Sequence, residues 1–192
     1  MKSVLRSIKP YWFYLICEGK KTIEVGKNYP RADDWNRTVE LYCSKDMKSF
    51  NRIPKEYQEK YRKYLGKVGA RFICNKVDEY NFHEGLIKFN SMGLPSRFYG
   101  SYLIFADDYK AMCLSYGDVK TYGKGKTLCG WHITDLKIYD RPKELSEFFK
   151  PCPTKEKGDC LSCDCLADND YGGVCTNNLT RPPQSWMFVE EL

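Results

Sequence analysis

No apolar run in this 192-residue chain approaches the roughly 18 residues of a membrane-spanning helix. Histidine is scarce at two residues, so chemistry built on clustered imidazoles has almost nothing to work with. Nine prolines and fourteen glycines are too few for a collagen-like or low-complexity chain, and no internal repeat is visible. The start carries Lys2, Arg6 and Lys9, but Glu18 and Lys20 interrupt the apolar stretch that follows, and no small-residue cleavage site closes it. That pattern is not a secretory signal, and the protein is expected to be cytoplasmic. What is present is ample core material, 42% hydrophobic with 15 tyrosines and 10 phenylalanines. The length predicts a single domain spanning 1–192.

Charge is unevenly placed. Residues 1–96 hold 19 Lys/Arg against 11 Asp/Glu, whereas residues 97–192 hold 12 against 14. A basic half fits a polyanionic partner, because cations gain by displacing counterions from phosphates. The same excess also serves a merely solvated surface.

Periodicity and punctuation give the elements. Pro10–Lys20 reads as a helix opening on proline and closing at Gly19, with Trp12, Leu15 and Ile16 on one face. Thr22–Val25, Thr38–Cys43, Gly69–Val77 and Trp186–Glu190 read as strands, and Leu128–Tyr139 as one long strand stopped by Pro142. A further short strand or hairpin is expected near Tyr102–Phe105, modest helical character over Cys113–Tyr122, and one helical turn over Lys143–Phe149. Between Pro54 and Gly66, Tyr57, Tyr61, Tyr64 and Leu65 recur at helical spacing among Lys55, Lys60, Arg62 and Lys63. That stripe either packs on the body or walls a nucleic-acid strand. Several short strands with few helices predict an α+β fold built on a small closed β-barrel, since closure removes exposed edges.

The run Gly19-Lys20-Lys21-Thr22-Ile23-Glu24-Val25 resembles the G-x-K-x-x-E-x-R signature of ASCH domains, a branch of the PUA-like barrel superfamily. Ser7-Ile8-Lys9-Pro10, Gly130-Trp131-His132-Ile133 with Asp135-Leu136, and the closing Pro182-Pro183-Gln184-Ser185-Trp186 also resemble ASCH proteins of bacteria and their phages. The resemblance spans the chain outside two expected insertions, a basic helix at about 45–67 and a cysteine-rich loop at about 150–181. It implies a PUA-like barrel whose signature segment lies in a cleft for RNA or a modified nucleobase. One position departs from it: the final arginine of the signature is Gly26, with Lys27 and Arg31 as the nearby candidate cations.

The ligand-binding set that follows is Lys20, Lys21, Glu24, Lys27, Trp131 and His132. Lys21 would reach a phosphate or carbonyl, Glu24 would accept from a base amino group, and Trp131 would stack on a base unless it is core. A salt bridge closing the barrel is the bland alternative for Lys21 and Glu24. Some ASCH proteins are similar to amidohydrolases that deacetylate N4-acetylcytidine with a Lys, a Thr and a Glu. Their Lys corresponds to Lys21 and their Thr position holds Glu24, while Thr22 lies one same-face step away. A catalytic set of Lys21, Thr22 and Glu24 is the enzyme reading, and it needs a neutral lysine. Trp131 and His132 alternate to opposite faces of their strand, with His132 either a satisfied imidazole or a base. Tyr122-Gly123-Lys124-Gly125-Lys126 lacks the full phosphate-loop pattern and reads as a basic turn.

Five of the ten cysteines fall within 152–175. Cys17, Cys43, Cys74, Cys113 and Cys129 are scattered through apolar segments, where a thiol behaves as a small hydrophobe. The cluster is expected to hold a structural zinc through Cys152, Cys160, Cys163 and Cys175, leaving Cys165 spare. Free thiols, a redox pair, disulfides or an iron–sulfur cluster are the alternatives. Three functions stay open: RNA or modified-nucleotide binding, hydrolysis of a modified nucleoside or RNA, and a phage-type adaptor with the cysteine loop as its contact surface.

Overall fold

A computed structural model describes residues 2–30, 36–81, 87–89, 101–151 and 178–191. The chain opens with β1 (Ser3–Ile8), whose residues are nearly all buried, and Pro10 then starts α1 (Pro10–Cys17) at its first position. Proline suits that place because its missing N–H would have no helical partner there. Gly19, at φ +67°, ends the helix, and the N–H groups of Lys20 and Lys21 both fall on the Leu15 carbonyl. The helix is buried more widely than the expected single face. Phe13 and Tyr14 are enclosed together with Leu15 and Ile16, and Trp12 is half-buried.

The strands β2 (Ile23–Gly26), β3 (Arg37–Cys43), β4 (Lys67–Cys74), β5 (Val77–Asn81), β6 (Ile87–Phe89), β7 (Leu128–His132), β8 (Thr134–Lys143), β9 (Phe148–Phe149) and β10 (Trp186–Glu191) form two sheets. One has six strands in the order β8-β4-β3-β1-β10-β9, and the other four in the order β2-β7-β5-β6. Among the described residues, only β1 and β3 pair in parallel, with Val4 opposite Val39. Both sheets contribute to one core, in which Val4, Val39, Leu41 and Phe72 meet Cys129 and Trp131. The architecture is thus α+β with a curled half-barrel, its hydrogen bonding divided between two sheets instead of the expected single closed ladder.

Two sequence segments cross between the sheets, and in each the expected single strand divides. β4 and β5 are separated by Asn75 and Lys76, and β7 and β8 by Ile133. There the Ile133 N–H donates to the Thr22 carbonyl, extending the β2–β7 pairing by one residue, and Asp135 takes φ +47°. Pro142 lies inside β8 instead of ending it. Since β8 is an edge strand, the missing N–H need not deprive a neighbour. The segment from Leu145 to Phe149 holds a 3-10 turn (Leu145–Glu147) followed by β9.

The expected strand near Tyr102–Phe105 is instead part of helix α4 (Ser101–Met112). A four-residue apolar run does not distinguish the two periods, and Ala106, Lys110, Ala111 and Met112 continue it with good helix formers. α5 (Tyr116–Gly123) follows, opened by a capping box in which Ser115 and Asp118 satisfy one another's backbone N–H groups. Met112 and Val119 from these helices pack on Ile23, Val25, Tyr80 and Leu128.

The basic segment folds as α2 (Met47–Phe50) and α3 (Lys55–Arg62). Its tyrosines pack on the body: Tyr61 and Tyr64 are buried, with ring centroids 5.3 Å from Tyr14 and 5.2 Å from Phe13 respectively. That occupation fits the packing reading of the stripe, not a nucleic-acid wall. Gly69 completes the joint, because a Cβ there would stand 2.5 Å from Tyr64 and 2.6 Å from Phe13. Gly69→Ala is therefore expected to cost about 1–3 kcal/mol through overpacking, read as a lower urea midpoint. An unchanged midpoint would show that the rings yield freely.

Among the described residues, no helix is long and apolar enough to cross a membrane. The expected zinc ligands Cys152, Cys160, Cys163 and Cys175, with Cys165, lie outside the described residues.

Candidate functional site

The turn at Gly19 sends two adjacent lysines in opposite directions. Lys20 is exposed and donates to the Tyr14 hydroxyl at 3.1 Å, whereas Lys21 is 2% exposed. Lys21 Nζ donates to the Met112 carbonyl at 2.7 Å, lies 3.5 Å from Glu24 Oε2 and sits 5.2 Å from the Trp12 ring centroid. Burial draws its pKa below the ordinary lysine value, Glu24 and Cys113 oppose that, and Arg6 adds to it. Lys21 and Glu24 thus face one another as a buried ion pair, the bland alternative raised for them, and the structure adds a third charge.

That third charge is Arg6, from the centre of the six-stranded sheet. Its side chain crosses to the other sheet, where Nη2 donates to Glu24 Oε1 at 3.2 Å and to the Val25 carbonyl at 3.0 Å. The guanidinium stacks on Trp131, 4.7 Å from the ring centroid. It also occupies the space beside Gly26, where a Cβ would stand 2.8 Å from Nη2. A guanidinium from β1 therefore lies beside position 26, where the signature carries its arginine. Sequence reasoning counted Arg6 only as part of a basic N-terminus. The available signal was an arginine set between Val4, Leu5 and Ile8 in a strand otherwise fit for the core.

Arg6 is 3% exposed, and its Nε and Nη1 have no hydrogen-bond acceptor among the described residues. Glu24 is engaged on both oxygens. The cluster thus holds two cationic side chains against one carboxylate, with donors in excess.

Beside it lies an open depression of about 590 Å³ lined by Lys27, Ser115, Asp118, Thr121, Tyr122 and Lys124. Lys27 Nζ sits 5.0 Å from the Tyr122 ring centroid. Burial raises the Tyr122 phenol, and the charges of Arg6 and Glu24 act on it in opposite directions. Arg52 stacks 4.1 Å from the Tyr11 centroid and 5.3 Å from that of Trp12, and its charge reaches Asp118. Neither Arg6 nor Arg52 was among the expected ligand residues.

The other expected residues are distributed as follows. Trp131 is fully buried in the core beneath Arg6, with no face left for a base. His132 is on the opposite face, its Nε2 2.8 Å from Asp78 Oδ2, and Lys76 also meets that carboxylate at 3.1 Å. The imidazole is thus hydrogen-bonded to Asp78, whose carboxylate also meets Lys76. Thr22 is exposed and uses its backbone, donating to Ala111 and accepting from Ile133, while Glu24 is buried. Arg31 lies outside the described residues.

No protein-family model and no curated protein matches the sequence. Solved structures do. An ASCH protein from Zymomonas mobilis superposes with a TM-score of 0.52 at 13% identity, over 98% of this chain and 87% of that one. A tyrosine-to-phenylalanine variant of ZmASCH gives 0.53 at 12% identity, over 99% and 91%. A serine-to-alanine variant gives 0.52 at 12%, over 98% and 88%. The shared architecture, spanning nearly the whole length, shows that this chain has the fold of an ASCH domain.

Proposed function

We propose that the protein binds a nucleotide, free or within an RNA strand, in the depression bordered by Lys27, Tyr122 and Lys124, beside the buried cluster of Arg6, Lys21 and Glu24. The observation that carries this reading is the buried cluster itself: two cationic side chains against one carboxylate, beside a depression bordered by lysines. A buried net positive charge with unused donors favours an anionic or acceptor-rich ligand. Lys27 and Lys124 at the rim suit phosphates, and the basic balance of residues 1–96 extends that field. The signature resemblance supports the same place, since it implies a cleft for RNA or a modified nucleobase.

The hydrolase reading gains one element, a buried lysine with a lowered pKa. It lacks another, because Thr22 is exposed while Lys21 Nζ is committed to Met112 and Glu24. Binding is the better reading. The adaptor reading rests on the cysteine loop, outside the described residues.

Titration of a mixed RNA pool at increasing salt tests the proposal. The logarithm of affinity should fall linearly with the logarithm of salt, and Lys27→Ala and Lys124→Ala should each reduce that slope by about one phosphate contact. Affinity that is absent, or indifferent to salt and to both substitutions, would exclude the cleft as a phosphate-binding surface.

A further inference from the structure

The residues of the depression narrow the ligand further, on the premise that the depression holds a nucleotide. Tyr122 lines it and is 45% exposed, and among the described residues no other aromatic ring is as open to water. A ring set in a concavity rimmed by lysines offers what the lysines do not. It gives a flat face to another flat group.

The helix α5 explains how the ring comes to be there. Ser115, Asp118 and Tyr122 stand three and then four residues apart, which puts them in one row along the helix, and all three line the depression. Val119 and Gly123 beside that row are buried, with Val119 packed against Ile23, Val25 and Leu128. The ring thus stands on a helix that the core holds in place.

Charge is arranged unevenly around it. At the start of α5, Asp118 accepts from the Ser115 N–H and hydroxyl, and its carboxylate disfavours a phosphate at that end. At the other end Lys124 follows Tyr122 by two residues, capping the helix at φ +50°. Lys27, the residue after β2, places its Nζ 5.0 Å from the Tyr122 ring centroid. Both lysines are exposed. An exposed ammonium over a tyrosine is weakly held, and a phosphate oxygen is the stronger partner. A phosphate would therefore draw Lys27 off the ring and free that face.

We propose that Tyr122 stacks on a nucleobase of the ligand while Lys27 and Lys124 take the adjoining phosphates, so that the depression accepts an unpaired base and discriminates against a duplex. In a paired helix each base face is covered by its neighbours, and only edges, sugars and backbone remain to be touched. Every base has a face to stack, so the site reads strandedness and not sequence. The basic turn Tyr122-Gly123-Lys124-Gly125-Lys126 gains a role here as a platform with its cation.

The test uses the full chain and one RNA oligomer of mixed sequence, single-stranded or annealed to its complement, at fixed salt. The single strand should bind about 10-fold tighter than the duplex, the scale of one base stacked on an aromatic ring. Tyr122→Ala should weaken single-strand binding about 10-fold and erase the preference, with the salt slope unchanged because no cation is lost. Tyr122→Phe and Tyr122→Trp should bind as the wild type does, since stacking needs the ring and not the hydroxyl, with circular dichroism confirming each fold. Duplex bound as tightly as single strand, Tyr122→Ala at wild-type affinity, or Tyr122→Phe as weak as Tyr122→Ala would overturn the stack while leaving the depression a phosphate-binding surface. Failure of the wild type to bind either RNA would overturn both.

Discussion

Arg6→Met should destabilise the protein by about 3 kcal/mol, the scale for breaking a buried ion pair. For a chain of this length that lowers the melting temperature by roughly 10 °C. The guanidinium joins the centre of the six-stranded sheet to β2 by charge, and Glu24 is 7% exposed. Methionine fills part of the space but leaves a buried carboxylate facing Lys21 alone, at 3.5 Å. The loss is expected to be coupled. Arg6→Met combined with Glu24→Gln should cost less than the two single effects together, because the second change removes the charge that the first strands. A melting temperature unchanged in Arg6→Met, or strictly additive effects, would mean that the pair does not tie the sheets.

The second large effect is alkaline. Burial pushes the Cys17 thiol from 9.0 up to about 12 and the Cys74 thiol up to about 11, and it also raises Cys43, Tyr61 and Tyr80. A group raised in the folded state contributes stability that is complete below its unfolded pKa and is lost as pH climbs through its folded one. Stability should therefore fall from about pH 9 upward, by about 1.4 kcal/mol per pH unit for each group in its window. Lys21 has the opposite sign. Its pKa is lowered, so it adds stability as pH rises towards its ordinary value of 10.5. One such group does not offset three thiols and two phenols, so the net slope is downward. Urea midpoints measured on both sides of pH 9 would read it, and Cys17→Ala should shallow the decline. Midpoints that stay level or rise would contradict the burial of these groups.

The parts of the fold that were legible are those with local punctuation. Pro10 and Gly19 bracket α1, and alternation marks β3 and β10. Legibility failed where two elements share one pattern. Apolar alternation runs unbroken through Ile133, so nothing local announces that β7 and β8 join different sheets. The Tyr102–Phe105 run is too short to show a period, and tertiary packing of Met112 and its neighbours on β2 goes with a helix there.

The site divides in the same way. Lys21 and Glu24 are three residues apart, and a short signature finds them. Arg6 is eighteen residues from Glu24, and only the register of strands in separate sheets brings them together. Absence of the arginine at position 26 was readable, and Lys27 was a reasonable substitute along the chain. The arginine from β1 that lies beside it was not, because sequence spacing does not encode which side chains cross a core. Trp131 and His132 were readable as opposite faces of one strand, but not as a floor under Arg6 and a partner of Asp78.

The most direct test of the proposed site is a salt titration of RNA binding on three proteins, wild type, Lys27→Ala and the double variant Lys27→Ala with Lys124→Ala, each checked for folding beforehand. Salt-sensitive binding in the wild type, with a salt slope that falls by about one phosphate contact for each lysine removed, would place the ligand in the depression beside the Arg6, Lys21 and Glu24 cluster. Affinity identical in all three folded proteins would place it elsewhere on the molecule and contradict the account.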